Sequence, residues 1–182
     1  MLDALRDHIA LMGTLVHLNE QVERAAQGIA GSIRVGGKVI VFGNGGSAAD
    51  ASHFAAELVG RLHRDRRPLP AMSLNADGPL LTAIGNDYGF DRIFERQMLA
   101  HVRHSDAVIG ITTSGMSANV RRALKVATNA APVIGLLGRD GGECVSLCDI
   151  PIIVPGDDTA RIQEAHGFLL HVICARVEEL VI

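Results

Sequence analysis

The chain has 182 residues, of which 48% are hydrophobic and 20% are charged, and its formal net charge is −3. These proportions are typical of one globular domain that is large enough to bury a core. A slightly acidic chain with 3% aromatic residues and no tryptophan offers neither a basic surface nor stacking platforms, so we expect no nucleic-acid partner. The longest apolar runs, such as residues 150–154, are too short to span a bilayer, so we expect no membrane association.

The N-terminus does not resemble an export signal. The segment MLDALRDHIALMG places acidic residues inside an amphipathic pattern and lacks a basic start followed by an apolar block. Three cysteines, Cys144, Cys148 and Cys174, are an odd number, and no second Cys/His pair stands at zinc-finger spacing from the first two. We therefore expect free thiols and a cytoplasmic location.

The first segment has apolar residues at spacings of three and four, which predicts one helix over residues 2 to about 30. Gly36 and Gly37 end this pattern. The apolar stripe must pack either on its own domain or on another subunit. Its members are Leu2, Leu5, Ile9, Met12 and Val16.

Five short apolar runs follow, and they alternate with helical stretches. The runs are apolar almost throughout, as expected of strands that are covered on both faces. This alternation predicts an α/β domain with a parallel sheet flanked by helices. The predicted strands are 38–42, 70–74, 107–111, 132–137 and 150–154. The predicted helices are 47–62, 78–84, 91–103, 117–129 and 159 to the end.

A glycine-rich turn, GNGGS, follows the first predicted strand and comprises Gly43, Asn44, Gly45, Gly46 and Ser47. In an open α/β sheet, ligands bind beyond the carboxyl ends of the strands, where glycines let the backbone approach them. Ser47 is the expected N-cap of the next helix, and a helix N-terminus attracts phosphate. The pattern is neither Gly-x-Gly-x-x-Gly nor a P-loop, so a plain tight turn is an equal alternative.

A second turn, after the predicted strand 107–111, is rich in hydroxyl groups. Thr112, Thr113, Ser114 and Ser117 precede a predicted helix. Hydroxyls and free backbone N–H groups at a helix N-terminus suit a bound phosphate, whereas a well-capped helix explains Ser117 alone. Two such turns at the same sheet edge support each other as parts of one binding site.

Two helices carry residues that are suited to metal binding or to acid–base catalysis. His53 and Glu57 are four residues apart and share a helix face. Gln163 and His171 are eight apart on the last predicted helix, so their side chains can converge on one atom, although the spacing does not require it. On spacing alone, an exposed ion pair explains His53 and Glu57 better than a metal or catalytic role does, and a hydrogen-bonded interface histidine explains His171 equally well.

Two further segments have less specific compositions. Residues 85–89 are rich in turn formers and predict a loop before a helix that begins near Asp91; such a loop covers a site or simply connects elements. A basic cluster follows the predicted helix that carries His53 and Glu57, and it is best explained as a solvated loop, with contact to substrate oxygens as the alternative. It consists of Arg61, His63, Arg64, Arg66 and Arg67.

Four segments together resemble the phosphoheptose isomerase family of the sugar-isomerase (SIS) superfamily: GNGGSAADASHFAAEL, LTAIGNDYGF, TTSGMSANV and TARIQEAHGFLLH. The resemblance covers most of the chain. It implies a single SIS domain over residues 1–182, an α/β flavodoxin-like three-layer sandwich with a five-stranded parallel sheet and a long N-terminal helix. It also implies a homotetramer in which residues 1–35 pack at subunit interfaces and subunits share sites.

The same resemblance implies an aldose–ketose isomerase that interconverts sedoheptulose 7-phosphate and D-glycero-D-manno-heptose 7-phosphate through an enediol. This reaction is the first step of heptose precursor biosynthesis. Glu57 and His171 match the catalytic pair, and His53, Glu57, Gln163 and His171 match a site for one zinc ion. The positions that match substrate-binding residues are Asn44, Gly45, Gly46, Ser47, Asn86, Asp87, Thr112, Thr113, Ser114, Ser117 and Gln163.

Three positions depart from the usual family pattern. Thr112 stands where serine is usual and keeps the hydroxyl, Met116 replaces a common asparagine, and Ala160 stands where some members have aspartate. The rival function is that of a non-catalytic SIS protein that binds the replication initiator DnaA or senses a sugar phosphate. DnaA-binding relatives resemble this chain in LNADGPLLTAI and ARIQE but lack the glutamate and the final histidine. Both Glu57 and His171 are present here, which favours the enzyme.

Overall fold

The computed structural model describes residues 1–128 and 132–181, and these form a three-layer α/β sandwich. The sheet in the described residues is entirely parallel, with strand order β2-β1-β3-β4-β5. This confirms the predicted fold class, and each strand ends within one residue of its predicted limits. The strands are β1 (Val39–Gly43), β2 (Ala71–Ser73), β3 (Ala107–Thr112), β4 (Val133–Gly138) and β5 (Ile150–Val154).

Helices cover both faces of this sheet. The first, second, third and seventh pack on one face, and the fourth, fifth and sixth pack on the other. Within the described part of the chain, no helix is both long enough and apolar enough to cross a membrane. Positions 129 and 182, where two predicted helices end, lie outside the described residues. The helices are α1 (Leu2–Thr14), α2 (Asn19–Arg34), α3 (Gly46–Val59), α4 (Gly78–Tyr88), α5 (Glu95–His101), α6 (Ala118–Ala127) and α7 (Thr159–Val181).

Alternate residues of the central strands enter two separate cores. Val39 and Val41 of β1 join the core under α2, α3 and α7, whereas Ile40 and Phe42 join the other core. Strands β1 and β3 pair along their whole shared length, so the turns that follow them leave the sheet side by side. Because the strand order reverses direction between β1 and β3, this is the point at which open α/β sheets bind ligands.

The predicted single N-terminal helix is two helices, α1 and α2, joined by a 3-10 turn at Leu15–Leu18. The Thr14 Oγ1 hydroxyl donates to the Leu11 carbonyl at 2.7 Å, a local bond that bends a helix. Leu15 then turns into the core. The helix α1 itself buries no residue within the single chain.

The loop predicted at residues 85–89 is wrong, because residues 85–88 form the last turn of α4. The Asp77 carboxylate caps this helix by accepting from the Leu80 N–H at 2.9 Å, and Ile84 anchors it in the core. Gly89, with φ at 92°, ends it. The helix predicted over 91–103 is a 3-10 turn at Phe90–Arg92 followed by the short α5.

The buried His166 is expected to make the protein less stable in mild acid. Burial lowers the pKa of His166 to about 4 from an ordinary 6.5, although a hydrogen bond with the Leu137 carbonyl acts in the opposite direction. In the unfolded chain, His166 binds a proton below about pH 6.5, whereas in the folded chain it stays neutral down to about pH 4. The free energy of unfolding therefore falls as the pH is lowered from about 6.5 to about 4. Between pH 7 and pH 5 this group should remove about 2 kcal/mol from the free energy of unfolding.

The measurement is urea denaturation at both pH values. The His166→Gln variant keeps a side-chain N–H that can donate to the Leu137 carbonyl but does not titrate. Its stability should therefore depend less on pH than that of the wild-type protein, by about 2 kcal/mol. An equal pH dependence in the two proteins would contradict the buried neutral histidine.

Candidate functional site

The GNGGS turn is fixed by side-chain amides from both of its neighbours in the sheet. The Asn44 and Asn119 amides exchange two hydrogen bonds of 2.8 Å, which join this turn to the start of α6. On the other side, the Asn75 side chain accepts from the Gly43 N–H at 3.2 Å and donates to the Gly43 carbonyl at 2.9 Å. The turn is therefore held in one position relative to the hydroxyl-rich turn.

Glycines shape the entry of this turn into α3. Gly45 adopts a positive φ of 55° and is the N-cap of α3, while Ser47 is buried in the first helical turn. The predicted N-cap role of Ser47 is therefore wrong, because the N-cap lies two residues earlier, at Gly45. A Cβ on Gly46 would lie 2.4 Å from the Gln163 amide nitrogen, so glycine allows Gln163 of α7 to lie directly against the turn.

The hydroxyl-rich turn leaves the N-terminus of α6 without a side-chain cap. The Ser117 hydroxyl lies 3.2 Å from the Thr112 hydroxyl rather than capping the helix, and the Ser114 hydroxyl accepts from the Met116 N–H at 3.2 Å. Thr113 is half-buried. The first backbone N–H groups of α6 are thus not capped by the Ser117 side chain, which suits an anionic ligand.

The packing of α3 against α7 brings three ionisable side chains together. The His53 Nε2 lies 3.1 Å from Glu57 Oε1 and 3.4 Å from His171 Nε2, and one ligand atom from each residue lies within 4.8 Å of the others. The two imidazole rings meet edge to face, with centroids 4.9 Å apart. His53 is 51% exposed and Glu57 is 22% exposed, so this His–Glu–His cluster opens to solvent.

The donor set of the His–Glu–His cluster fits a zinc ion. Two ligands of one tetrahedral zinc ion, each about 2.0–2.1 Å from it, lie about 3.3 Å apart. The two short distances at His53 match this separation. Two imidazole nitrogens and a carboxylate oxygen are also ordinary zinc ligands. Gln163, the fourth residue of the expected set, lies at the GNGGS turn two helical turns from His171, and Gly167 leaves open space between them.

The Asn86 side chain donates to the Asp87 carboxylate at 2.8 Å. This hydrogen bond does not connect either residue to the GNGGS turn or to the hydroxyl-rich turn. Both are exposed in the last turn of α4. Asn86 follows Thr82 by four residues and so shares its helix face. Thr82 lines a cavity of about 330 Å³ together with Asn44 and Gly45, whereas Asn86 and Asp87 are not among the residues that line it.

Two polar residues of this region, Asp50 and Asn119, were not predicted from the sequence. Asp50 precedes His53 by three residues on α3, and its Oδ2 is buried without a hydrogen-bond partner. Burial raises the pKa of Asp50, although the nearby His53 acts in the opposite direction. Asn119 falls on the buried face of α6 with Ala123. Helical spacing gives a sequence signal at both positions. Asp50 shares a helix face with His53, which was already a candidate, and Asn119 shares a face with the apolar Ala123.

The basic cluster is only in part a solvated loop. Arg61, Arg64 and Arg67 are exposed, as predicted, but the Arg66 side chain is 3% exposed and forms an ion pair of 3.0 Å with the buried Glu178. Arg66 also donates to the Glu57 carbonyl at 2.9 Å. The prediction is therefore wrong for Arg66, whose pairing partner lies 112 residues away and has no local signal.

The three cysteines are free, as predicted. Burial raises the pKa of Cys144 to about 11 and those of Cys148 and Cys174 to about 12. Because a thiol must lose its proton to bind a metal well, these cysteines are poor ligands.

Comparison with known proteins places the chain in one family. The SIS domain family matches residues 6–138. A phosphoheptose isomerase of Aquifex aeolicus is 53% identical over 163 residues, which are 89% of this chain and 85% of that protein. One from Trichlorobacter lovleyi is 49% identical over 177 residues, covering 96% and 90%. The solved structure of the Neisseria gonorrhoeae phosphoheptose isomerase has a TM-score of 0.91 and 41% identity, and covers 98% of this chain and 96% of that one. The chain therefore belongs to the phosphoheptose isomerase family, an isomerase family built on the SIS domain.

Proposed function

We propose that the substrate pair is sedoheptulose 7-phosphate and D-glycero-D-manno-heptose 7-phosphate, so that the chain performs the first step of heptose precursor biosynthesis. The observation that carries this proposal is the His–Glu–His cluster between α7 and α3, the helix that begins at the GNGGS turn. A carboxylate and imidazoles in one cluster are the groups that an aldose–ketose isomerisation needs. The adjacent hydroxyl-rich turn supplies a place for the phosphate.

The reaction moves one hydrogen between C1 and C2. In the ketose-to-aldose direction, Glu57 takes a proton from C1 while His171 protonates the carbonyl oxygen on C2, which gives the enediol. Glu57 then returns its proton to C2, and His171 takes the proton from the oxygen on C1, which becomes the aldehyde. A zinc ion held by His53, Glu57, Gln163 and His171, one per site, would supply Lewis-acid stabilisation of negative charge on these oxygens.

Substrate selection provides the test of this proposal. Initial rates would be compared for sedoheptulose 7-phosphate, unphosphorylated sedoheptulose and fructose 6-phosphate. We expect the highest kcat/KM with the heptulose phosphate and a large loss without the phosphate, because the hydroxyl-rich turn then has no ligand. Faster turnover of the hexose phosphate would contradict the substrate assignment.

The hydroxyl-rich turn is expected to bind the substrate phosphate through Ser114, Ser117 and adjacent backbone N–H groups. Removing one hydrogen bond to a charged group costs about 1.5–3 kcal/mol, so Ser114→Ala should raise KM by roughly 10- to 100-fold. The effect on kcat should be small, because the cluster on α3 and α7 is untouched. Steady-state kinetics would measure both constants.

The control for this variant is Ser146→Ala, which removes an exposed hydroxyl that donates to the Glu143 carbonyl. It should leave KM unchanged. If Ser114→Ala and Ser117→Ala both have the KM of the wild-type protein, the phosphate lies elsewhere.

The exposed face of α1 supports the homotetramer. Leu2, Leu5 and Ile9 are each more than half exposed in the single chain, although α1 is amphipathic. Light scattering should give a mass about four times the 19.3 kDa of one chain. The Ile9→Asp variant should shift this mass downward without unfolding the chain, since Ile9 contributes nothing to the core. A stable wild-type monomer would refute the assembly.

The remaining parts of the proposal concern organisation and location. Residues 1–182 form a single SIS domain whose first 35 residues pack between subunits, and substrate sites draw residues from more than one chain. The free, protonated thiols fit a reducing compartment, which supports a cytoplasmic location.

A further inference from the structure

A small cavity beside the His–Glu–His cluster contains a carboxylate that the reaction does not use. It measures about 10 Å³ and is lined by Asp50, His53, Glu57, Gly167 and His171, among others. This is about the space that one water molecule occupies. Asp50 lines this cavity, and its Oδ2 is buried and lacks a hydrogen-bond partner. A buried carboxylate oxygen without a partner costs free energy, so its retention calls for a ligand.

We propose that Asp50 is a positioning residue of the metal centre, and that it orients His53 through one bound water molecule; this inference rests on the proposed zinc site. Asp50 accepts a hydrogen bond from the water, which in turn accepts from the Nδ1–H of His53. With its proton fixed on Nδ1, the imidazole presents the lone pair of Nε2 to the metal.

The geometry of His53 supports this role. Its Nε2 is the atom that approaches both Glu57 and His171, which leaves Nδ1 as the nitrogen available to another partner. Helical side chains lean toward the N-terminus and cover residues three and four positions earlier. Asp50 stands three positions before His53 and therefore lies where the ring leans.

The chemistry of metal-bound histidine leads to the same role. A histidine that binds a metal nearly always donates its other N–H to a carboxylate, a carbonyl or water, and this bond fixes the tautomer. The cavity offers polar partners for such a water in Asp50, His53 and Glu57. A second carboxylate near the cluster also favours a divalent cation electrostatically.

The test compares zinc affinity in chelator-stripped wild-type protein and in Asp50→Asn, by competition with a chromophoric chelator. Loss of an outer carboxylate should weaken zinc binding about 10- to 100-fold. The visible absorption bands of the cobalt-substituted protein should keep their positions, because the atoms bound to the metal do not change. Asp7→Asn on the exposed face of α1 makes the same chemical change and should leave affinity unaltered.

Each outcome decides a different point. Equal zinc affinity in wild-type protein and Asp50→Asn would overturn the role of Asp50 while leaving the zinc site standing. Shifted cobalt bands would overturn it too, by showing that Asp50 binds the metal directly. If wild-type protein takes up no zinc, both the metal centre and this inference fail. Should Asp50→Asn fold poorly, Asp50→Glu keeps the carboxylate and should recover much of the affinity.

Discussion

The Glu57→Gln variant is expected to lose about 10²- to 10⁴-fold in kcat for sedoheptulose 7-phosphate, with little change in KM. Glutamine keeps the shape of the side chain and its place on α3 but cannot take a proton from carbon. The carboxylate lies 3.1 Å from His53 on the same helix, and the glutamine amide can keep a hydrogen bond to that ring. Steady-state kinetics at zinc saturation would measure the effect. The His171→Gln variant should behave similarly, because its amide cannot shuttle a proton between oxygens.

The metal content of each variant separates two roles of Glu57. If Glu57→Gln binds zinc normally and remains inactive, the carboxylate acts as the base. If excess zinc restores its activity, Glu57 serves only to hold the metal and the acid–base assignment is wrong. Glu179→Gln, an exposed position on α7, is the matched control and should retain full activity. Near-normal kcat in Glu57→Gln at ordinary zinc concentrations would also contradict the assignment.

The Glu178→Gln variant is expected to lose about 3–5 kcal/mol of unfolding free energy, because the substitution leaves the buried Arg66 guanidinium without its counter-charge. Glu178 is 1% exposed and accepts hydrogen bonds from the backbone N–H groups of Leu62, His63 and Arg64, at 3.0–3.2 Å. Glutamine also replaces one of these acceptor oxygens with a donor that opposes them.

The pH dependence of this ion pair has a definite sign. Burial alone would raise the pKa of Glu178, but the three N–H groups and Arg66 outweigh it and hold the pKa below the ordinary value of 4.5. The carboxylate therefore contributes stability above about pH 4.5, and this contribution is lost as the pH falls through its folded-state pKa.

Urea denaturation at neutral pH would measure the loss, with Glu179→Gln again as the control. Glu179 pairs with Arg176 at 2.8 Å on the exposed surface of the same helix, where such pairs contribute less than about 1 kcal/mol. Similar losses of unfolding free energy in the two variants would show that the buried pair stabilises the fold no more than the exposed pair does. Because Arg66 also donates to the Glu57 carbonyl, Glu178→Gln should lower kcat moderately as well.

Periodicity was sufficient to predict the layers of this fold. The strands β1, β3 and β4 are buried along their whole length, so their apolar runs carry a strong signal. The places of the GNGGS and hydroxyl-rich turns follow from the same pattern, because parallel neighbours end at one edge of the sheet.

Local composition gave wrong predictions where tertiary contacts determine the secondary structure. Residues 85–88 contain three turn formers, yet the Asp77 cap and the burial of Ile84 keep them helical. The N-terminal stripe predicts one helix, but burial of Leu15 and the Thr14 hydroxyl bond produce a 3-10 turn. Propensity is a weak prior that packing readily overrides.

Residue spacing could not predict that His53 and His171 come together in one site. His53 and His171 are 118 positions apart, and their 3.4 Å approach depends on how α3 packs against α7. The family resemblance suggested that both belong to one site, whereas the eight-residue interval between Gln163 and His171 did not require it. Asp50 needed the structure for a different reason, since only burial reveals that its Oδ2 lacks a partner.

Isomerisation in deuterium oxide is the most direct test of the account. With sedoheptulose 7-phosphate and zinc, the wild-type protein should form the aldose with solvent deuterium at C2, because the hydrogen on Glu57 exchanges with solvent before it returns to carbon. Glu57→Gln should form neither the product nor the label, while Glu179→Gln should form both at normal rates. Zinc-loaded wild-type protein that binds the substrate but never converts or labels it would contradict the enzyme and favour a non-catalytic SIS protein.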